Sequence, residues 1–168
     1  MDEKKQQVKY DMGGFDELTQ AIRALVNTYP GLAEGEQIAF ATLRDSGGMA
    51  LFPGDGAVIE QEHDSITGRV RQVCRYPFVV LYRGGGLSEN SRVSAKGRLD
   101  TLGRWLGRQP VTICGQTYRL EEYPALPAGR RFLSFSIQAP GYLHERDEHQ
   151  IETWAVALTA RYENIFNF

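Results

Sequence analysis

The stretch Arg69-Val70-Arg71-Gln72-Val73-Cys74-Arg75-Tyr76-Pro77-Phe78-Val79-Val80-Leu81-Tyr82 decides the fold. It concentrates β-branched and aromatic residues, which suit a pleated, half-buried strand. Side chains alternate across a strand. Arg69, Arg71 and Arg75 therefore fall on one face, and Val70, Cys74, Tyr76, Phe78 and Val80 on the other. One face is expected to meet a core and the other water or a partner. Pro77 has no N–H to donate, which predicts a strand that is at an edge there, or bulged.

Upstream, Leu18, Ile22, Leu25 and Val26 recur at helical spacing from Phe15 onward. Asp16 and Glu17 sit in the first turn, where negative charge suits the helix dipole, and Pro30-Gly31 is expected to end the helix. Short strands are predicted over Gln37 to Leu43, Met49 to Phe52 and Ala57 to Gln61, the last two around the turn Pro53-Gly54-Asp55-Gly56. Downstream, Gly84-Gly85-Gly86 breaks the long strand and Ser88 is placed to cap a second helix. Ala95, Leu99, Leu102, Trp105 and Leu106 form its apolar stripe, flanked by Arg92, Lys96, Arg104 and Arg108. Gly97, Gly103 and Gly107 lower its intrinsic propensity, so packing must hold it.

The last third reads as β structure. Val111 to Cys114 and Thr117 to Glu121 flank a tight turn expected at Gly115-Gln116. Arg131 to Ala139 and Ile151 to Tyr162 both alternate apolar and polar residues, with the charged segment His144 to His149 between them as an exposed turn. This order predicts an α+β fold, an antiparallel β-sheet with two main α-helices packed on it. Residues 1–12 read as a flexible N-terminal arm and residues 13–168 as a single domain.

The 168 residues suffice for one core and are too few for two ordinary domains. The formal net charge of -2 argues against a dedicated nucleic-acid binder, which would carry a strong basic excess, but leaves room for a local basic patch. No apolar run approaches the roughly 18 to 20 residues that span a bilayer, so no membrane partner is expected. The polar stretch Met1 to Lys9 has no secretory-type apolar run behind it, so a cytoplasmic protein is expected. Cys74 and Cys114 alone cannot form a tetrahedral zinc site or a disulfide framework, and each is expected to be a buried small apolar residue.

Chemistry-bearing motifs are sparse. Gly84-Gly85-Gly86 before a helix lacks both the Walker pattern and a G-x-G-x-x-G fingerprint, and reads as a strand-to-helix loop. His144 and His149 stand among Glu145, Asp147 and Glu148, a set that could ligate a metal, though no motif fixes a geometry. His63, between Glu62 and Asp64, reads as a solvated loop residue. Cys74 has no catalytic motif around it, and no serine sits in a G-x-S-x-G elbow. Neither catalytic residues nor cofactors are assigned. Arg69, Arg71 and Arg75, with Arg83, could meet DNA phosphates, an acidic partner surface or solvent.

Three segments together resemble a family: Val70 to Val80 with its Tyr76-Pro77-Phe78 step, the helix with its aromatic-rich end at Leu99 to Leu106, and Pro140-Gly141-Tyr142-Leu143 followed by a charged turn and a long strand reaching Tyr162. Their order resembles the tail-completion, or tail-terminator, proteins of long-tailed phages and prophages. The resemblance implies a non-enzymatic assembly protein forming a ring, expected to be hexameric, that caps the tail tube and meets the head–tail connector. It would sit in the host cytoplasm during assembly and then in the virion tail or neck, with DNA nearby. Arg69, Arg71, Arg75 and Arg83 would be interface or lumen residues. A small ligand-binding or enzymatic domain with a dispersed site stays open, as does a nucleic-acid module using the arginine face.

Overall fold

The computed structural model describes residues 7–45, 47–84 and 88–168. At its centre runs β5 (Arg69–Gly84), paired antiparallel along its whole length with β9 (Glu152–Asn167), from Arg69↔Asn167 to Gly84↔Glu152. β8 (Arg130–Arg146) lies outside β9 as one edge of the sheet. On the other flank, β3 (Gly48–Pro53) pairs with Phe78 to Arg83 of β5, and β4 (Val58–Asp64) pairs with Val70 to Arg75. β1 (Lys9–Tyr10) is antiparallel to β4, and β2 (Ile38–Phe40) is parallel to β3. A separate hairpin joins β6 (Val111–Ile113) and β7 (Gln116–Tyr118).

The irregularity expected at Pro77 is present, but in the neighbour. β5 is central, and β3 and β4 together act as one strand interrupted opposite Pro77. The Pro77 carbonyl accepts the Gly54 N–H at 2.8 Å. Within a strand, a residue's N–H and C=O point to the same side, so the missing Pro77 donor faces that gap and leaves no acceptor unsatisfied.

Both helices cover the same sheet face. α1 (Phe15–Val26) buries Leu18, Ile22, Leu25 and Val26, as its periodicity predicts. It ends at Asn27, ahead of Pro30, because the Asn27 side chain bonds both the Arg23 carbonyl and the backbone of Ile38. α2 (Glu89–Leu106) starts under the Ser88 cap, whose hydroxyl accepts the Ser91 N–H at 3.1 Å. Its buried stripe is Ala95, Leu99, Leu102, Trp105 and Leu106. Both stripes join Tyr76, Phe78 and Val80 of β5 with Val156, Leu158 and Tyr162 of β9 in one core. Each such large side chain contributes about 1.5–3 kcal/mol on full burial. The Tyr76 hydroxyl, buried at the centre, pairs with Thr19 Oγ1 at 2.7 Å.

Four expectations are corrected. The arm read over residues 1–12 does not include residues 9–11, because Lys9–Tyr10 forms β1 and Asp11 is buried; residues 1–6 lie outside the described residues. The tight turn is Cys114-Gly115, one residue earlier than expected, since both have positive φ (50° and 79°), as a type I′ turn requires. That turn also leaves Cys114 exposed, whereas Cys74 is buried. The exposed turn between β8 and β9 is confined to Asp147–Ile151, and His144 to Arg146 continue β8. The Gly84–Gly86 loop is described only at Gly84, which closes β5; Gly85 and Gly86 lie outside the described residues.

Two glycines of α2 are not equivalent. A Cβ on Gly103 would stand 2.8 Å from Ile137 Cγ1 and Cδ1, whereas one on Gly97 meets nothing within 4 Å. Gly97→Ala is expected to stabilise by about 0.5–1 kcal/mol through helix propensity. Gly103→Ala is expected to destabilise by about 1–3 kcal/mol through overpacking. Thermal denaturation of the two variants should therefore move the midpoint in opposite directions.

Candidate interaction face

No described helix packs on the other face of the sheet, and that face carries the arginine row. The unbroken β5–β9 register sets its composition. At one end, Phe52, Val79, Ala157 and Ala139 lie side by side across four strands, as do Ala50, Leu81, Ala155 and Tyr142. This half is apolar; Ala50 and Ala155 are fully buried in it, and its accessible surface comes from half-buried Phe52, Val79, Leu81, Ala139 and Ala157 and exposed Tyr142. At the other end, Arg75 lies opposite Arg161, Arg71 opposite Ile165, and Arg69 opposite Asn167, while Arg131 of β8 lies opposite Glu163. This half is basic.

Like charges directly opposite one another destabilise a ladder. Two carboxylates offset this. Glu163, almost fully buried, receives Arg71 and Arg131 at 2.9 Å each. Glu60 is the extra residue of a β4 bulge, which brings it 2.9 Å from Arg161 and 3.7 Å from Arg75. Burial alone would raise the Glu163 carboxyl, but hydrogen bonds from Arg71 and Arg131 outweigh it and hold the group below the usual range. Arg69 is exposed, with no salt bridge among the described residues. Five arginines thus stand against two carboxylates, a local positive excess in a chain of net charge -2.

The four arginines marked by the sequence do not form one group. Arg69, Arg71 and Arg75 share the basic half, as expected. Arg83 keeps their strand parity but lies eight residues beyond Arg75, about 27 Å along the strand. It binds Asp147 at 2.8 Å, and its Nε is buried without a hydrogen-bond partner among the described residues. Asp147 also accepts the His149 and Ile151 N–H groups, which fastens the β8–β9 tip to β5. Arg131, Arg161, Glu60 and Glu163 were missed. The outward parity of Arg131 and Arg161 is legible in each strand, but only the register between strands places them beside the arginine row.

The other chemical candidates lie apart. His144 is exposed on β8 against Tyr142, and His149 is exposed at the tip beside Glu148. Among the described residues, no three His, Cys, Asp or Glu side chains converge as a metal site would require. His63 lies on β4, not in a loop. Burial pushes the Cys74 thiol up to about 11, so it is a poor nucleophile at neutral pH. Two polar clefts of about 310 and 290 Å³ are lined by α2, Glu152 and Trp154, and by the residues flanking β2, respectively, and neither by the histidines. In the first, the Glu152 carboxylate is already engaged by Arg92, Arg146 and Trp154. No described helix is long and apolar enough to cross a membrane. The chain matches no protein-family model and no curated protein.

A buried ionic latch closes the sheet beneath this face. Asp11 accepts two hydrogen bonds from Arg130, at 2.9 and 3.0 Å, one from the Tyr162 hydroxyl at 2.8 Å and one from the Gly14 N–H. Burial would raise the Asp11 carboxyl, but its bonds from Arg130 and Tyr162 hold it below the ordinary range. A carboxylate held low in the folded state adds stability above its unfolded value and loses it as pH falls through the folded one. Thermal stability is therefore expected to hold near neutral pH and to fall below about pH 4. Asp11→Asn should make that acid limb shallower, leaving the share carried by Glu163, and lower stability at pH 7 by about 3 kcal/mol, because the largely buried Arg130 then keeps only Glu17, at 3.1 Å, as a carboxylate partner. Circular dichroism melts across pH test both.

Proposed function

We propose that this chain is a non-enzymatic phage-type assembly protein, acting in tail completion or head–tail joining as a subunit of a ring. The supporting observation is the helix-free sheet face, with a contiguous apolar half and an arginine half. Protein interfaces are enriched in aromatic residues and arginine relative to the rest of the surface, and a two-layer domain with one open sheet face offers both to a partner. The resemblance in the order of the long strand, the aromatic-ended helix and the Pro140-Gly141-Tyr142-Leu143 segment supplies the class of partner: sister subunits, a tail-tube protein and connector proteins.

An assembly subunit works through surface area rather than through a reactive group, which agrees with the dispersal of His144, His149, Cys74 and the carboxylates. The small-enzyme alternative would need these groups to line a cavity, and the clefts at α2 and near β2 do not contain the histidines.

Light scattering after size exclusion, over a wide concentration range, tests the reading. A closed oligomer of several subunits, or a mass climbing towards one, is expected. A strict monomer that also fails to bind tail-tube protein overturns it.

A further inference from the structure

The proposed ring requires a second surface that fits the first. One concavity on the opposite side of the molecule has the matching chemistry. It measures about 650 Å³ and opens beside the interruption between β3 and β4, lined by Tyr10, Met12, Phe15, Asp16 and Asp55. The Phe15 ring lies 5.5 Å from Tyr76, a core residue, so the concavity belongs to the helix side of the sheet. Met12 is 83% exposed on it, an apolar side chain left to water. Asp16 and Asp55 are exposed and form no salt bridge among the described residues. The site is therefore apolar and acidic, where the open sheet face is apolar and basic.

We infer that these two surfaces are the halves of one contact between copies of this chain, in which the basic sheet face of one subunit receives the Tyr10, Met12, Phe15, Asp16 and Asp55 surface of the next. This rests on the ring reading and specifies its interface. The two surfaces lie on opposite sides of the sheet, so the contact is head-to-tail rather than two-fold, the type that generates rings when its rotation closes. A nucleic-acid backbone would engage the arginines but gives the adjoining apolar rows nothing to bury against. An acidic surface with exposed apolar side chains uses both halves. Arginine suits it, because a guanidinium can bind a carboxylate through two parallel hydrogen bonds. Arg69 has no salt bridge among the described residues, and Arg75 only a long one of 3.7 Å, so their donors are available to a partner.

Charge exchange in the full-length chain tests the contact, read by sedimentation or light scattering at fixed salt. Arg69→Glu with Arg75→Glu, and separately Asp16→Lys with Asp55→Lys, are each expected to weaken self-association at least tenfold. Mixing these two variants, or combining all four substitutions in one chain, should restore it, because opposite charges face each other again. Should charge reversal unfold either variant, Asp16→Asn with Asp55→Asn, at exposed positions, is expected to weaken association in the same direction. Oligomers unaffected by every variant overturn this contact and leave the ring reading standing. A wild-type chain that never associates, either alone or with tail-tube protein, removes both. Salt-dependent binding of duplex DNA, abolished by Arg69→Glu with Arg75→Glu while oligomers persist, assigns the basic face to nucleic acid and overturns the inference.

Discussion

The pairing of β5 with β9 holds its register from Arg69↔Asn167 to Gly84↔Glu152, and the rest of the molecule depends on it. Side chains alternate with a period of two, so a slip of one residue would turn every inward group outward. In the observed register, Tyr76 and Phe78 meet the helices together with Leu158 and Tyr162. The same register stacks Arg75 on Arg161 at the open face. That apposition requires a counter-charge, and the β4 bulge at Glu60 supplies it. Core and surface are thus two consequences of a single alignment.

The second constraint is the Asp11–Arg130–Tyr162 latch. It joins the segment before α1 to the start of β8 and the far part of β9, across separations of 119 and 151 residues. A paired, hydrogen-bonded carboxylate survives burial, whereas a lone one would be neutralised. Once Asp11 is fixed, Tyr10 can add to β4, and Met12 and Phe15 are held beside the β3–β4 interruption. The concavity on the helix side is therefore a by-product of anchoring this segment.

The functional reading follows from asymmetry between the two sides of the sheet. One side is closed by α1 and α2; Gly103 lets α2 approach Ile137 and Leu158 closely enough to seal it. The other side has no helix among the described residues, and its apolar rows and arginines lie in separate halves. The reactive side chains, by contrast, are spread over the β8–β9 tip, β4 and the core, and no three of the described His, Cys, Asp or Glu side chains converge as a metal site would require.

Local physics was legible in the residues. The helical stripe of α1, the Ser88 cap, the alternation of β5 and the need for an irregularity at Pro77 all follow from propensities and periodicities that act within a few residues. These gave the α+β class and placed Arg69, Arg71 and Arg75 on one face. They could not say that the Pro77 irregularity sits in the neighbouring strand, that Arg83 stands apart with Asp147, or that Arg131, Arg161 and Glu163 complete the basic half. Nor could they reveal that Asp11 is buried, since its partners are more than a hundred residues away. Periodicity along a chain determines which face a side chain takes. Which strands are neighbours, in what register and which carboxylate meets which arginine are settled only when distant segments pack, because those energies arise between segments and leave no mark within either one.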